Sequence, residues 1–143
     1  MPAAFKTAAG GVCVKHLYPL GRPSSTADPD GHGTHVCGSV LGDDTSAITG
    51  ERIQRTAVKA TLVVQSVLDL RGGLGGLPSD LRTLLRVPYT EYGARIHTNS
   101  WGHPFRQVEY NGDSREADDF VAKNRDMLIL FAAGNDGNGY CSC

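Results

Sequence analysis

The residues best suited to chemistry lie in the segment Asp30–Gly38, which reads DGHGTHVCG. His32 stands between Gly31 and Gly33, and two residues without side chains leave space for a substrate backbone to approach the imidazole. A neutral imidazole can take the proton of a serine hydroxyl, which is a weak nucleophile at its ordinary pKa. The segment therefore presents an accessible imidazole where a loop enters a helix, a group that could take up a proton.

A second candidate group is the side-chain amide of Asn135, in a Gly-Asn-Asp-Gly turn that follows the apolar run MLILFAA. An amide fixed in a site shielded from water can donate to the oxyanion of an acyl-transfer intermediate. Asn99–Gly102 (NSWG) likewise follows a short strand-like segment. In open parallel sheets, binding sites gather at the carboxyl ends of strands, so both segments lie where a site is expected.

These three segments, in this order, resemble those of the subtilisin-like serine peptidases, or subtilases. The histidine segment resembles the family's histidine box, Asn99–Gly102 resembles a segment that pairs with substrate, and Leu130–Gly137 resembles the oxyanion-hole segment. The resemblance implies that His32 is the catalytic base and that Asn135 donates to the oxyanion. It also implies that His35, one helical turn further on, is a packed structural residue.

The resemblance further implies a peptide or protein substrate, bound as an extended strand between two stretches of backbone. Gly72–Gly76 lies where the family has one substrate-binding edge, and Asn99–Gly102 lies where it has the other, beside the primary specificity pocket. The residues expected to contact substrate are Gly72, Gly73, Ser100, Trp101, Gly102, Ala133 and Gly134. The similarity extends from about Ala4 to Gly137.

Two parts of the family's catalytic triad have no counterpart in the sequence. The family's chain order is Asp, His, Ser, but only Asp28 and Asp30 precede His32, and both are too close to it to be the triad aspartate. No Gly-Thr-Ser-Met-Ala nucleophile segment occurs. We therefore expect residues 1–143 to be a partial subtilase catalytic domain that is inactive alone. The alternative is a non-catalytic remnant, or a module that binds peptides by strand addition.

Metal and cofactor chemistry receives little support. His32 and His35 are three positions apart, whereas zinc peptidases use histidines four apart on a helix with a glutamate between them. Calcium sites are common in subtilases, but no acidic cluster here indicates one. We expect no metal and no other cofactor in this chain, and the resemblance leaves a calcium site possible in the complete domain.

Composition excludes several classes of partner. Fourteen basic and fifteen acidic residues give a net charge of −1, and no stretch concentrates Lys and Arg, so nucleic acid and anionic membranes are poor partners. Four cysteines allow three disulfide connectivities, which leaves the redox compartment open. Cys37 is interpreted as a small buried hydrophobe, and Cys141 and Cys143 as part of a tail. Met1–Gly11 lacks the apolar core of a signal peptide, although complete subtilases are typically secreted.

The site requires a scaffold, and strand-like segments alternate with helix-like ones along the chain. Alternation of this kind predicts an α/β fold, with a parallel sheet covered by helices on both faces. The resemblance identifies this fold as the three-layer subtilisin-like architecture, incomplete here. The predicted strands are Val12–Leu17, Thr61–Leu68, Arg95–Asn99 and Met127–Ala133, and the second and fourth are apolar enough to be buried on both faces.

Three helices are predicted between these strands. The first is His32–Leu41. The second begins near Pro78, carries an apolar stripe over Leu77–Leu85, and is expected to kink or end early at Pro88. The third is capped by Asp113 or Ser114, and has Ala117, Phe120 and Val121 on its apolar face. Gly72–Gly76 is expected to be flexible.

Overall fold

The computed structural model describes residues 13–25, 27–102 and 109–135, which form two compact units, Met1–Leu77 and Pro78–Cys143. Helices alternate with strands, and the predicted α/β class is confirmed. The elements are β1 (Val14–Tyr18), α1 (His32–Leu41), β2 (Asp43–Thr45), β3 (Arg52–Gln54), β4 (Leu62–Gln65), α2 (Leu81–Tyr92), β5 (Ile96–Asn99), α3 (Gly112–Lys123) and β6 (Leu128–Phe131).

The first unit is built on the parallel pair β1–β4, in which Leu17 lies opposite Val64. Helix α1 packs on this pair through a small cluster centred on Cys13 and Leu41, which are 5% and 1% exposed. Cys37 is half-buried and packs against the same cluster. Its apolar surroundings agree with the interpretation of this thiol as a small hydrophobe.

An antiparallel hairpin, β2–β3, follows α1 directly and was not predicted from the sequence. Asp43 pairs with Gln54 across it, and the Asp43 carboxylate accepts two hydrogen bonds from the Arg52 guanidinium, at 2.8 and 2.6 Å. The sequences DDT and RIQ lack the apolar alternation by which half-buried strands are recognised. Backbone pairing and this ion pair, rather than a buried face, therefore hold the hairpin.

The second unit is built on the parallel pair β5–β6, in which Ile96 lies opposite Leu128 and Asn99 lies opposite Phe131. Helices α2 and α3 pack together, and their core contains Leu85 at 0% exposure and Phe120 at 6%. The carboxylate of Glu116 in α3 accepts the N–H of Leu81 at 2.7 Å. The first turn of α2 is thus satisfied partly by its neighbouring helix.

Helix α2 differs from the prediction at both ends. It begins at Leu81 with Asp80 as its N-cap, and Pro78 lies before the cap. It also continues through Pro88 to Tyr92, so the predicted early end is wrong. Pro88 is buried on the same face as Leu84 and Leu85, and this burial offsets the backbone hydrogen bond that proline cannot donate. The Pro88 carbonyl then accepts the N–H of Gly93, where the helix ends.

The N-cap of helix α3 lies two residues before Asp113, the earlier of the two predicted caps. The cap is Asn111, whose Oδ1 accepts the backbone N–H of Ser114 at 3.0 Å. Asp113 and Ser114 are therefore inside the first turn, where an acidic residue still favours the positive end of the helix dipole. Phe120 is buried as predicted.

Strand β6 is more exposed than its apolar sequence predicts. Leu128, Leu130 and Phe131 are 55%, 45% and 46% exposed, so the prediction of a strand buried on both faces is wrong for this unit. Helices α2 and α3 cover the face that carries Ile129, and no described element of this unit covers the other. Strand β4 is likewise only half-buried.

Several predictions fall outside the described residues. These concern Val12, Asp136, Gly137, Cys141 and Cys143. In the part of the chain that is described, no helix combines the length and apolar character that crossing a bilayer requires.

Candidate active site

His32 is the first residue of α1 and is exposed. Gly31 precedes it in the left-handed conformation, with φ 74°, which favours glycine at this position. Since Gly31 has no side chain to cap the helix, two carboxylates from the preceding loop take that role. Asp30 accepts the N–H of His32 at 3.0 Å, and Asp28 accepts the N–H of Thr34 at 2.6 Å.

The carboxylate of Asp28 also belongs to the electrostatic surroundings of His32. Burial raises the pKa of Asp28, but hydrogen bonds from Thr34 and Asp30 and the electrostatic interaction with His32 together lower it below its ordinary value. Asp28 is therefore ionised at neutral pH, beside the N-terminus of α1. A negative charge there stabilises the helix dipole.

His35 lies one turn further along α1 and is exposed. The prediction that it is a packed residue is wrong in this structure. The buried side of α1 is carried by Leu41, with Val36 and Val40 half-buried, so the first turn projects away from the cluster beneath the helix. Both histidine side chains are thus accessible.

The segment that contains Gly72 and Gly73 is organised around one carboxylate. Asp69 Oδ1 accepts the N–H of Arg71 at 2.8 Å and the N–H of Gly73 at 2.9 Å. The backbone of Asp69 also donates to the Gly73 carbonyl at 2.9 Å. Gly72 has φ 79°. The glycine-rich stretch, expected to be flexible, is therefore a closed set of hydrogen-bonded turns.

A tight fit against neighbouring backbone holds the same segment in place. Gly76 donates to the carbonyl of Val67 at 2.9 Å, and a methyl group on Gly76 would overlap the backbone of Gly21. A methyl group on Gly75 would overlap the carboxylate of Asp69. Close approach of backbone therefore requires glycine at position 76, whereas a side chain at position 75 would displace the carboxylate of Asp69.

The parallel pairing of β5 with β6 places the two other predicted segments side by side. The N–H of Ala132 donates to the carbonyl of Asn99 at 2.9 Å, so pairing continues to the last residue of each strand. Ser100 directly follows Asn99, and Ala133 directly follows Ala132. Two polypeptide segments therefore leave the carboxyl edge of this sheet together, as expected for a site in an α/β fold.

Aromatic contact adds to this arrangement. The ring of Trp101 meets Phe131 edge-on, with centroids 5.6 Å apart and an interplanar angle of 89°. Trp101 is half-buried and Gly102 is exposed. Such edge-to-face pairs are favourable beyond their buried area, so the indole is held against β6.

Ala133, Gly134 and Asn135 are all exposed and follow β6 without regular structure. Gly134 has φ 90°, a conformation that side chains rarely adopt. A turn at this glycine changes the direction of the backbone immediately before Asn135. The amide of Asn135 is accessible to solvent, as an oxyanion donor must be before substrate binds.

The predicted site residues thus divide between the units. Ser100, Trp101, Gly102, Ala133, Gly134 and Asn135 lie at one sheet edge of the second unit, and His32, Gly72 and Gly73 belong to the first. Sequence reasoning missed the supporting residues Asp69 and Asn99. Asp69 precedes a glycine-rich run, and an Asp in that position commonly accepts local backbone N–H groups, which is a signal that was available.

No group of three or more potential metal ligands occurs among the residues that the structure describes.

Comparison with known proteins gives a consistent assignment. The model of the "Subtilase family" matches residues 14–141 of this chain. Two proteins of Dictyostelium discoideum, described as serine protease/ABC transporter B family proteins tagD and tagB, are 33% and 35% identical to it over 111 residues, or 75% of the chain. A third, tagA, is 27% identical over 127 residues. The chain spans only 6–7% of the length of these relatives.

Proposed function

The chain belongs to the subtilase family of peptidases, and from this membership we propose that it supplies the general base and the oxyanion donor of a serine endopeptidase site. In this proposal His32 takes the proton of a serine hydroxyl and later returns it to the leaving amine. Asn135 donates from its side-chain amide to the oxyanion of the tetrahedral intermediate. Each role requires an accessible polar group, and both side chains are exposed.

The observation that carries the proposal is the shared carboxyl edge of β5 and β6. It places Ser100–Gly102 beside Ala133–Asn135, joined by the hydrogen bond between Asn99 and Ala132. A peptide paired with the backbone after β5 would then present its carbonyl near the segment after β6. Holding the peptide carbonyl close to the groups that act on it lowers the barrier to reaction.

The substrate is proposed to be an extended peptide or an unfolded segment of a protein. Gly102 supports this, because it is exposed and its backbone is not shielded by a side chain. Gly72 and Gly73 are proposed to contact the substrate as well, from a set of turns fixed by Asp69 rather than from an extended strand. Backbone pairing gives such a site affinity that depends little on sequence, while side-chain pockets give it selectivity.

A matched pair of glycine variants tests peptide binding. A methyl group at Gly102 or at Gly112 has no described heavy atom within 4 Å, so Gly102→Ala and Gly112→Ala are both expected to fold. We expect only Gly102→Ala to weaken the binding of a product-like tetrapeptide, measured by the fluorescence of Trp101, the single tryptophan. Equal affinity in the two variants, or no binding by the parent chain, would contradict the proposal.

A second candidate is a peptide-binding module without catalysis. It would use the same proposed substrate-binding segments without a serine nucleophile, and no Gly-Thr-Ser-Met-Ala segment occurs within the 143 residues. Loss of the nucleophile of subtilisin, in which this magnitude was measured, costs roughly 10⁶ in kcat. We therefore expect a fluorophosphonate probe to leave the isolated 143-residue polypeptide unlabelled. Stoichiometric labelling of one serine would refute that expectation.

A further inference from the structure

Asn99 stands out in the packing of the second unit. Among the residues that the structure describes, it is the one polar side chain that is buried, with 2% of its surface exposed. It is the last residue of β5 and directly precedes Ser100. No part of the proposed chemistry uses it.

The contacts of Asn99 reach β6 on both sides of its partner, Phe131. Its side-chain Nδ2 donates to the carbonyl of Leu130 at 3.1 Å. Its backbone carbonyl accepts the N–H of Ala132 at 2.9 Å. Asn99 therefore fixes the end of the β5–β6 pairing, directly before the two segments leave the sheet.

The buried side chain of Asn99 lowers the stability of the fold. Asn99 Oδ1 is buried and has no hydrogen-bond partner among the described residues. His97, two residues earlier, also interacts with this side chain. Burial lowers the pKa of His97, and the interaction with Asn99 opposes that effect. A buried acceptor without a partner destabilises a protein, so an apolar side chain of similar size would suit the fold better.

We propose that Asn99 is a positioning residue, which holds Ser100–Gly102 at a fixed separation from Ala133–Asn135. Its side chain and backbone together prevent the end of β5 from sliding or splaying relative to β6. The indole of Trp101, packed against Phe131, depends on that register. The functional meaning of the two segments rests on the proposed function above, whereas the positioning role can be tested without it.

Replacement by leucine separates positioning from stability. Asn99→Leu keeps the approximate volume, removes the hydrogen bond to Leu130, and also removes the buried Oδ1. We expect its thermal midpoint to equal or exceed that of the parent chain. We also expect acrylamide quenching of Trp101 to shift toward that of free tryptophan, because the indole loses its fixed position. A merely structural residue would not produce this combination.

Asn124→Ala is the matched control. It removes a comparable hydrogen bond, from Asn124 Nδ2 to the carbonyl of Phe120 at 2.8 Å, at the end of α3. We expect the midpoint to fall and the quenching of Trp101 in the folded state to stay unchanged. Unaltered quenching in folded Asn99→Leu would overturn the proposal. A midpoint for Asn99→Leu as low as that of Asn124→Ala, or failure to fold, would also overturn it.

Titration with a product-like tetrapeptide distinguishes this proposal from the proposed function. If the parent chain binds the peptide, we expect Asn99→Leu to bind about tenfold more weakly, the effect of roughly one lost hydrogen bond. Unweakened binding by Asn99→Leu would overturn the positioning role. If the parent chain binds no peptide while the quenching result holds, the proposed function fails and the positioning role stands.

Discussion

The core that α2, α3 and β6 share gives the clearest quantitative prediction. Leu85 is 0% exposed and packs with Phe120 and Met127, and Tyr89 and Ile129 pack against the same cluster. This cluster joins α2 and α3 to the sheet that carries half of the proposed site. We expect Leu85→Ala to weaken the whole unit rather than one helix.

The size of the effect follows from the burial of this side chain. Truncating a fully buried leucine removes its transfer free energy and leaves a cavity, which together destabilise a protein by about 3–4 kcal/mol. Ile96→Ala is the control, since Ile96 is 67% exposed in the same unit. Only the buried third of that side chain contributes, so we expect a loss below about 1 kcal/mol. The free energy of unfolding of native domains is roughly 5–15 kcal/mol, so the loss expected for Leu85→Ala is large and that for Ile96→Ala is small.

Urea unfolding followed by Trp101 fluorescence measures both variants, because the single tryptophan lies in this unit. The slope of the unfolding free energy against urea concentration should match that of the parent chain. Differences in the unfolding midpoint then report differences in stability. A loss for Leu85→Ala no greater than that for Ile96→Ala would refute the assignment of Leu85 to the core.

Two further predictions concern titrating groups of the first unit. The N–H groups of Gly73 and Arg71 lower the pKa of Asp69 more than burial raises it. The stabilisation that Asp69 gives its loop should therefore be complete at neutral pH and lost only as the pH falls through a value below the ordinary carboxyl pKa of about 3.9. The amide shift of Gly73 in NMR spectra measures this transition, and a midpoint at or above the ordinary value would contradict it. Burial, and then the charge of Asp28, raise the pKa of the Cys37 thiol. Asp28→Asn should therefore speed the reaction of Cys37 with Ellman's reagent at neutral pH, measured with Cys141 and Cys143 replaced by serine; an unchanged rate would exclude the influence of Asp28.

The sequence predicted best those elements that apolar spacing and glycine define locally. Helix α1 has its predicted bounds, His32–Leu41, because glycines flank its start and its apolar residues share one side. Leu81, Leu84 and Leu85 form the predicted core stripe, whereas Leu77, predicted with them, precedes the helix and is half-buried. Each of these features depends on neighbours a few residues away, so sequence spacing is sufficient to indicate them.

Features decided by distant packing were predicted poorly. Pro88 remains inside α2 because tertiary burial outweighs its missing hydrogen bond, and the exposure of His35 depends on which side of α1 meets β1 and β4. The site shows the same division. The proposed roles of His32 and Asn135 rest on sequence motifs, whereas the contacts of Asn99 with β6 depend on a strand 31 residues away in the chain.

The central claim is that His32 belongs to a peptide-binding site. A peptidyl chloromethyl ketone tests it directly, because the bound peptide delivers its electrophilic carbon to the imidazole that would act as base. His35 is the internal control, since both histidines are exposed on the first turns of α1. Peptide mapping by mass spectrometry should find alkylation at His32 in excess over His35, suppressed by competing peptide. Equal alkylation of the two histidines, insensitive to the competitor, would contradict the claim.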